Sequence, residues 1–223
     1  MIKSTLHFFS LSLSLVVGLS EACYSDIISF TNPTPITILD RRPAAPYPSP
    51  ITVSGVVGPI TNITMSLNSV SHTYPNDMAA VIVSPQNTAV MLFSGAGFNI
   101  PAVNLNFTFD DNAAATLPAE GALSSGTYRP GLEQYDEFFP APGPGGKITD
   151  ADPAPWGFAF APLLNENPNG DWNLYVIDGQ TGDRGLIAGG WGINFEVNTV
   201  PEPSSLGLGA MVLAAAAMRR RRR

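Results

Sequence analysis

One cysteine and two histidines in 223 residues leave nothing from which to build a disulfide scaffold or a Cys/His zinc cluster. Charge is scarce as well, at 13% of residues, with 11 basic side chains against 18 acidic ones. A nucleic-acid-binding surface needs the opposite balance. Between the two ends no stretch combines a helical apolar period with caps, and no segment repeats. Glycine and proline are plentiful, 21 of each, short of a disordered composition but enough for many turns. With 44% hydrophobic residues, one domain with an ordinary core is expected.

Both ends read as addresses. Lys3, an apolar run over 6–19 and the small-residue pattern Ser20-Glu21-Ala22 have the three parts of a secretory signal peptide, so residues 1–22 are expected to form a signal helix cleaved after Ala22. Cys23 would then lead the mature chain, but Ser20 and Glu21 are not the residues a lipid-attachment site prefers before its cysteine. Residues 201–223 form the other address. Val200, Pro201, Glu202 and Pro203 precede an apolar run over 206–218, which stops at Arg219, Arg220, Arg221, Arg222 and Arg223. Arginines at the end of an apolar helix hold that end on the cytoplasmic side. Residues 204–218 give only ~22 Å of helix against a hydrocarbon core of ~30 Å, so a short, weak C-terminal transmembrane helix is expected. This tripartite tail resembles the PEP-CTERM sorting signal of exopolysaccharide-producing Gram-negative bacteria. The resemblance implies an exported protein, membrane-anchored and then released to the cell surface or beyond. It also implies an exosortase-type processing protease as partner.

Residues 23–200 retain 16 acidic and 5 basic side chains, a balance of −11. That balance argues against nucleic acid and anionic membrane as partners and leaves divalent cations and neutral or cationic polymers open.

Period-two alternation dominates the body. Ile63, Met65 and Leu67 alternate with polar residues, as do Val103, Leu105, Phe107 and Phe109, and Trp191, Ile193, Phe195 and Val197. Each pattern places one face in a core and one in water, as in an antiparallel sheet. The runs 78–83 and 89–93 are almost wholly apolar and read as central strands joined by the turn Ser84-Pro85-Gln86-Asn87; 172–177 is a further strand. The expected fold is all-β, an antiparallel β-sandwich over 51–200. It is preceded by an extended Pro-rich arm over 23–50 and interrupted by a long loop over 112–155.

Three blocks of residues then match something specific. They are Ser71-His72-Thr73-Tyr74-Pro75-Asn76-Asp77 with Val81-Ile82-Val83-Ser84-Pro85, Phe109-Asp110-Asp111-Asn112, and Asn169-Gly170-Asp171-Trp172-Asn173-Leu174 with Asp178, Asp183, Gly185 and Gly190-Trp191. Together they resemble the signature of P domains, also called P/Homo B domains, the jelly-roll modules that follow subtilisin-like proprotein convertases. Asn87 departs from the family's turn glycine, and Ala79 and Ala80 from its more polar neighbours. The resemblance implies a jelly-roll sandwich and a module that supports a catalytic neighbour or sits on secreted and surface proteins. It also implies that Asp77, Asp110, Asp111 and Asp178 come to neighbouring loops, where hard oxygen ligands would suit calcium.

Catalytic patterns are sparse. His72 is the only histidine outside the signal segment, and no G-x-S-x-G elbow occurs, so a nucleophile lacks its base. Glu133, Asp136 and Glu137 are the residues a glycan hydrolase would draw on, although acids on a Pro/Gly-rich loop are usually solvated. Trp172 and Trp191 fall on apolar faces, which leaves Trp156, between Pro155 and Gly157, as the candidate for an exposed sugar-stacking platform. The reading is a non-catalytic binding or structural module of an extracellular polysaccharide matrix. The alternatives are an accessory domain of a secreted serine endopeptidase system and a glycan hydrolase.

Overall fold

The structure, a computed structural model, describes residues 24–131, 138–146 and 155–199. The alternating segments form the strands β1 (Tyr24–Asn32), β2 (Ile36–Ile38), β3 (Ser49–Val53), β4 (Ile60–His72), β5 (Met78–Val83), β6 (Ala89–Ser94) and β7 (Ala102–Asp110). After these come β8 (Gly126–Tyr128), β9 (Phe138–Phe139), β10 (Gly145–Gly146), β11 (Trp156–Gly157), β12 (Gly170–Asp178), β13 (Gly185–Ile187) and β14 (Trp191–Thr199).

The 13 residues of β4 organise the first sheet. On one side its first half pairs antiparallel with β14 and its last three residues with β13; on the other side it pairs with β7. Strand β1 extends the sheet beyond β14, β2 beyond β13, and β8 lies parallel to β7. The second sheet runs β11-β6-β5-β12-β3, and β9 with β10 forms a separate hairpin.

The inner faces of the two sheets share one hydrophobic core, in which Ile63, Met65 and Phe195 of the first meet Ile82, Leu92 and Trp172 of the second. Trp172 lies 5.5 Å from Phe195, and Phe93 stacks on Phe109 at 5.9 Å. Trp191 is fully buried, yet its indole N–H is satisfied by the Ser49 hydroxyl at 3.0 Å, which ties β14 to β3 across the layers.

Every residue of β5 and β6 is buried, so the second sheet is apolar on its outer face as well. That face needs a cover, because bare Val81, Met91 and Ile177 would present a patch to water. Tyr47, Phe139 and Trp156 supply it, with Tyr47 set edge-on against Tyr175 at 5.0 Å and Phe139 edge-on against Trp156 at 5.6 Å. Trp156 is therefore 6% exposed and is not a stacking platform. Its place in a short strand parallel to β6 points the indole into the outer cluster.

Three further expectations are corrected. The Pro-rich arm is part of the sandwich: β1 and β2 belong to the first sheet and β3 to the second. Val103 faces solvent at 71% exposure although Phe107 and Phe109 are buried. The register slips between Leu67 and Val70 and again between Val70 and His72, and Ser69 and Asn104 both adopt positive φ (57° and 52°). These bulges reverse the side-chain phase at the start of β7. The Asn106 side chain accepts the Ser69 N–H at 2.9 Å and stabilises the bulge. The long loop is also more than a surface excursion, since its Leu117 and Leu123 enter the main core.

Among the described residues no helix is long and apolar enough to cross a membrane. The expected signal helix at 1–22 and the sorting and anchor segment at 201–223, with its arginines, lie outside the described residues, as do Val200, Glu133, Asp136 and Glu137.

Candidate functional site

His72, Asp77, Asp178 and Asp183 converge at one end of the sandwich, where β4 runs into β5 and β12 into β13. Gly185 of β13 sits directly opposite His72, and a Cβ there would lie 2.4 Å from the imidazole Cδ2 and 2.5 Å from the Ser71 carbonyl oxygen. Only glycine lets His72 occupy this place, and the ring is 2% exposed as a result. Its Nδ1 accepts the Tyr74 backbone N–H at 3.2 Å, which fixes the neutral tautomer with the proton on Nε2. Nε2 lies 3.3 Å from Asp178 Oδ2, close enough for attraction but without hydrogen-bond alignment. Burial, opposed by the Asp178 charge, pulls His72 below the usual imidazole range. Burial likewise pushes Asp178 up, against the Gln180 N–H that its other oxygen accepts at 2.9 Å. Both partners thus lean toward their uncharged forms.

Asp77 closes the cluster from a single 3-10 turn, Pro75–Asp77. Burial first, then the charges of Asp178 and Asp183 and a hydrogen bond with Asp183, push its carboxyl up to about 6. The Asp77 carbonyl accepts the Gly179 N–H at 2.8 Å, and Asp183 accepts the Thr73 hydroxyl at 3.0 Å. Asp40 accepts the Gly182 N–H at 2.9 Å. These bonds lace the β12–β13 turn to the β4–β5 connection and, through Asp40, to the β2–β3 connection, which is a scaffold role. Asn76 Oδ1 and the His72–Asp178 contact remain the buried polar atoms without hydrogen-bond partners here.

The four aspartates expected to share a cation do not meet. Asp110 pairs opposite Thr64 on β4, whereas Ala102, at the other end of β7, pairs opposite His72. At ~3.3 Å per residue, Thr64 and His72 are roughly 25 Å apart. Asp110 accepts the Asn112 backbone and side-chain N–H groups at 2.9 and 3.1 Å. Asp111 accepts the N–H groups of Phe160 and Ala161, each at 2.9 Å, capping the 3-10 helix Ala161–Asn165. The described residues contain no group of three or more His, Cys, Asp or Glu arranged to hold a metal ion.

Some contributors were invisible to sequence reasoning. Glu166 accepts the Ser84 hydroxyl at 2.6 Å and the Thr88 hydroxyl, bracing the β5–β6 turn from 78 positions away. In that turn Asn87 adopts φ 65°, a conformation asparagine tolerates nearly as glycine does, which accounts for its place there. Arg41 and Arg42, counted with the arm, line a cleft of about 450 Å³ with Phe138 and Ile177.

Comparison with known proteins adds two findings. A family profile described as the PEP-CTERM protein-sorting motif matches residues 199–223. The chain thus carries at its C-terminus the signal of an exported protein sorted by exosortase. A stretch of 89 residues, 40% of this chain, is 37% identical to leupeptin-inactivating enzyme 1 of Streptomyces exfoliatus. The shared stretch spans only 20% of that relative's length.

Proposed function

We propose that this chain is a non-catalytic binding or structural module of the cell surface and extracellular polysaccharide matrix, built as a jelly-roll sandwich of the P/Homo B kind. The observation that carries the reading is the engagement of His72. A triad histidine offers one nitrogen to its carboxylate and the other to the nucleophile. Here the second nitrogen already accepts the Tyr74 amide, so the imidazole has no site from which to take a proton. The exosortase signal supports delivery to the surface, where a matrix component is the nearest ligand. After delivery, the short C-terminal segment serves as a temporary membrane anchor.

A second reading draws on the relative named as an enzyme. A segment amounting to a fifth of that protein fits a module carried beside a catalytic part, and this chain would then assist a separate secreted peptidase. The two readings separate in one experiment. Full-length protein in mild detergent is incubated with matrix polysaccharide extracted from the host, sedimented, and the bound fraction measured. In parallel, the tagged chain is recovered from the host's secreted fraction and assayed for co-purifying peptidase activity. Sedimentation with the polysaccharide supports the matrix module. Peptidase recovery without sedimentation replaces it with the accessory role.

A further inference from the structure

Only five basic side chains lie in residues 23–200, and two of them are adjacent. Arg41 and Arg42 are both exposed and line one cleft of about 450 Å³ at the margin of the covered face of the second sheet. Their backbone is firmly attached there. Pro43 bridges Ile177, the Arg42 carbonyl accepts the Asp178 N–H at 3.3 Å, and the Ala44 N–H donates to the Val176 carbonyl at 3.0 Å. Arg41 is held at φ 48°, a left-handed conformation that a side-chain-bearing residue adopts only when its surroundings impose it. Among the described residues neither guanidinium pairs with a carboxylate. Arg42 Nε donates to the Asp40 carbonyl, the Asp40 carboxylate accepts Gly182, and the Asp178 carboxylate faces His72.

Phe138, 49% exposed, lines the same cleft. Its neighbour Phe139 is driven into the outer cluster, and strand alternation then turns Phe138 outward. A half-exposed aromatic ring lining the same cleft as two planar cations that pair with no carboxylate among the described residues suits a ligand with an apolar ring face and carboxylates at its edge. The backbone N–H groups of Asp178 and Gly179 at the cleft are already donated to Arg42 and Asp77, so a peptide finds no free ladder to pair with. The surrounding body carries a balance of −11, which opposes indiscriminate anion binding and makes retention of an acidic polymer a property of this cleft.

We propose that the Arg41–Arg42–Phe138 cleft binds carboxylate-bearing sugar residues of the extracellular polysaccharide, the arginines pairing with carboxylates and Phe138 stacking on a pyranose face. This deepens the matrix-module reading and rests on it.

The test uses the full chain in detergent and two forms of one probe: the host's extracted matrix polysaccharide, native and after chemical reduction of its carboxylates to alcohols. Wild-type protein should sediment with the native form and lose roughly tenfold in apparent affinity for the reduced form. Arg41→Gln/Arg42→Gln should lose a similar factor on the native form with an unchanged melting temperature. Phe138→Ala should lose several-fold without changing charge. Arg129→Gln/Arg184→Gln, which removes equal charge elsewhere, should bind as wild type. Equal binding of both polysaccharide forms, or wild-type binding by the Arg41/Arg42 variant, overturns the cleft while leaving the matrix module intact. Polyglutamate competing as well as the native polysaccharide would replace the sugar with an acidic peptide. Sedimentation with neither form removes the matrix reading itself.

Discussion

Asp77→Asn is the most direct probe of the carboxyl cluster. In the folded chain Asp77 titrates near 6, above its ordinary 3.8, because it is 9% exposed and faces Asp178 and Asp183. A carboxyl whose folded value is raised supports folding fully below the unfolded value, and that support is lost as pH rises through the folded one. The window is therefore about pH 4 to 6. Two pH units at 1.36 kcal/mol each set a ceiling of ~3 kcal/mol, and water at the partly accessible carboxyl reduces the expected effect to about 1–2 kcal/mol. Asparagine keeps the shape, drops the charge, and can still donate a hydrogen bond to Asp183. The variant should thus match wild type near pH 3.5 and exceed its stability by about 1–2 kcal/mol at pH 7. Denaturant unfolding of the full chain, followed by tryptophan fluorescence, reads this cleanly, since all three tryptophans lie buried in the sandwich. His72 shifts the other way and strengthens folding as pH rises toward 6.5, so the difference between the two proteins is the quantity to measure. A variant less stable than wild type at pH 7 would refute the reasoning and show that the negative charge of Asp77 is needed.

Gly185→Ala places a methyl 2.4 Å from the His72 ring and 2.5 Å from a carbonyl oxygen, so a loss of ~3 kcal/mol is expected in the same assay. Wild-type stability for that variant would mean His72 is free to move. Trp156→Ala should cost ~3 kcal/mol, whereas Trp156→Phe, which keeps the contact with Phe139, should leave polysaccharide sedimentation unchanged. Loss of sedimentation in the Phe variant would restore the indole as a sugar contact. Adding EDTA or millimolar calcium should move the melting temperature by less than about 1 °C, because the expected aspartates sit in two separate places. A calcium-dependent rise of several degrees would contradict that separation.

Strands with clean alternation were legible because each has one wet and one dry face: β4 and β14 read directly from Ile63, Met65, Leu67 and Trp191, Ile193, Phe195. The unbroken apolar runs of β5 and β6 announced burial on both faces, but not what would cover the second one. That cover comes from Tyr47, Phe139 and Trp156, residues scattered over more than 100 positions with no local period. The arm misread itself for a different reason. Prolines punctuate it, yet Pro50 lies in β3, an edge strand that can forgo a ladder donor, and Pro33 and Pro35 fall between strands. Val103 was misplaced because two bulges reverse the pleat; Ser69 does not advertise a positive φ in sequence, and Asn104, which tolerates one, sits inside an otherwise regular alternation.

The site was legible as a motif and opaque as chemistry, and the structure supplies the reason. His72 meets an acid 106 positions away, and Gly185 is glycine because that ring is beside it. Gly190 adopts φ 66° with the Asn32 carbonyl 2.0 Å from where a Cβ would stand, and Trp172 and Trp191 fill the core. Asp178 and Asp183 bind a turn. Each of these residues is accounted for by packing or turn geometry, so the motif they form speaks to this chain's fold and is silent about a ligand. A likeness of 89 residues to part of a named enzyme is expected to behave in the same way. The proposed ligand contacts accordingly lie at positions outside that motif. Arg41, Arg42 and Phe138 are three such positions, and the arginines' backbone is fixed to the second sheet through the Asp178 N–H that the Arg42 carbonyl accepts.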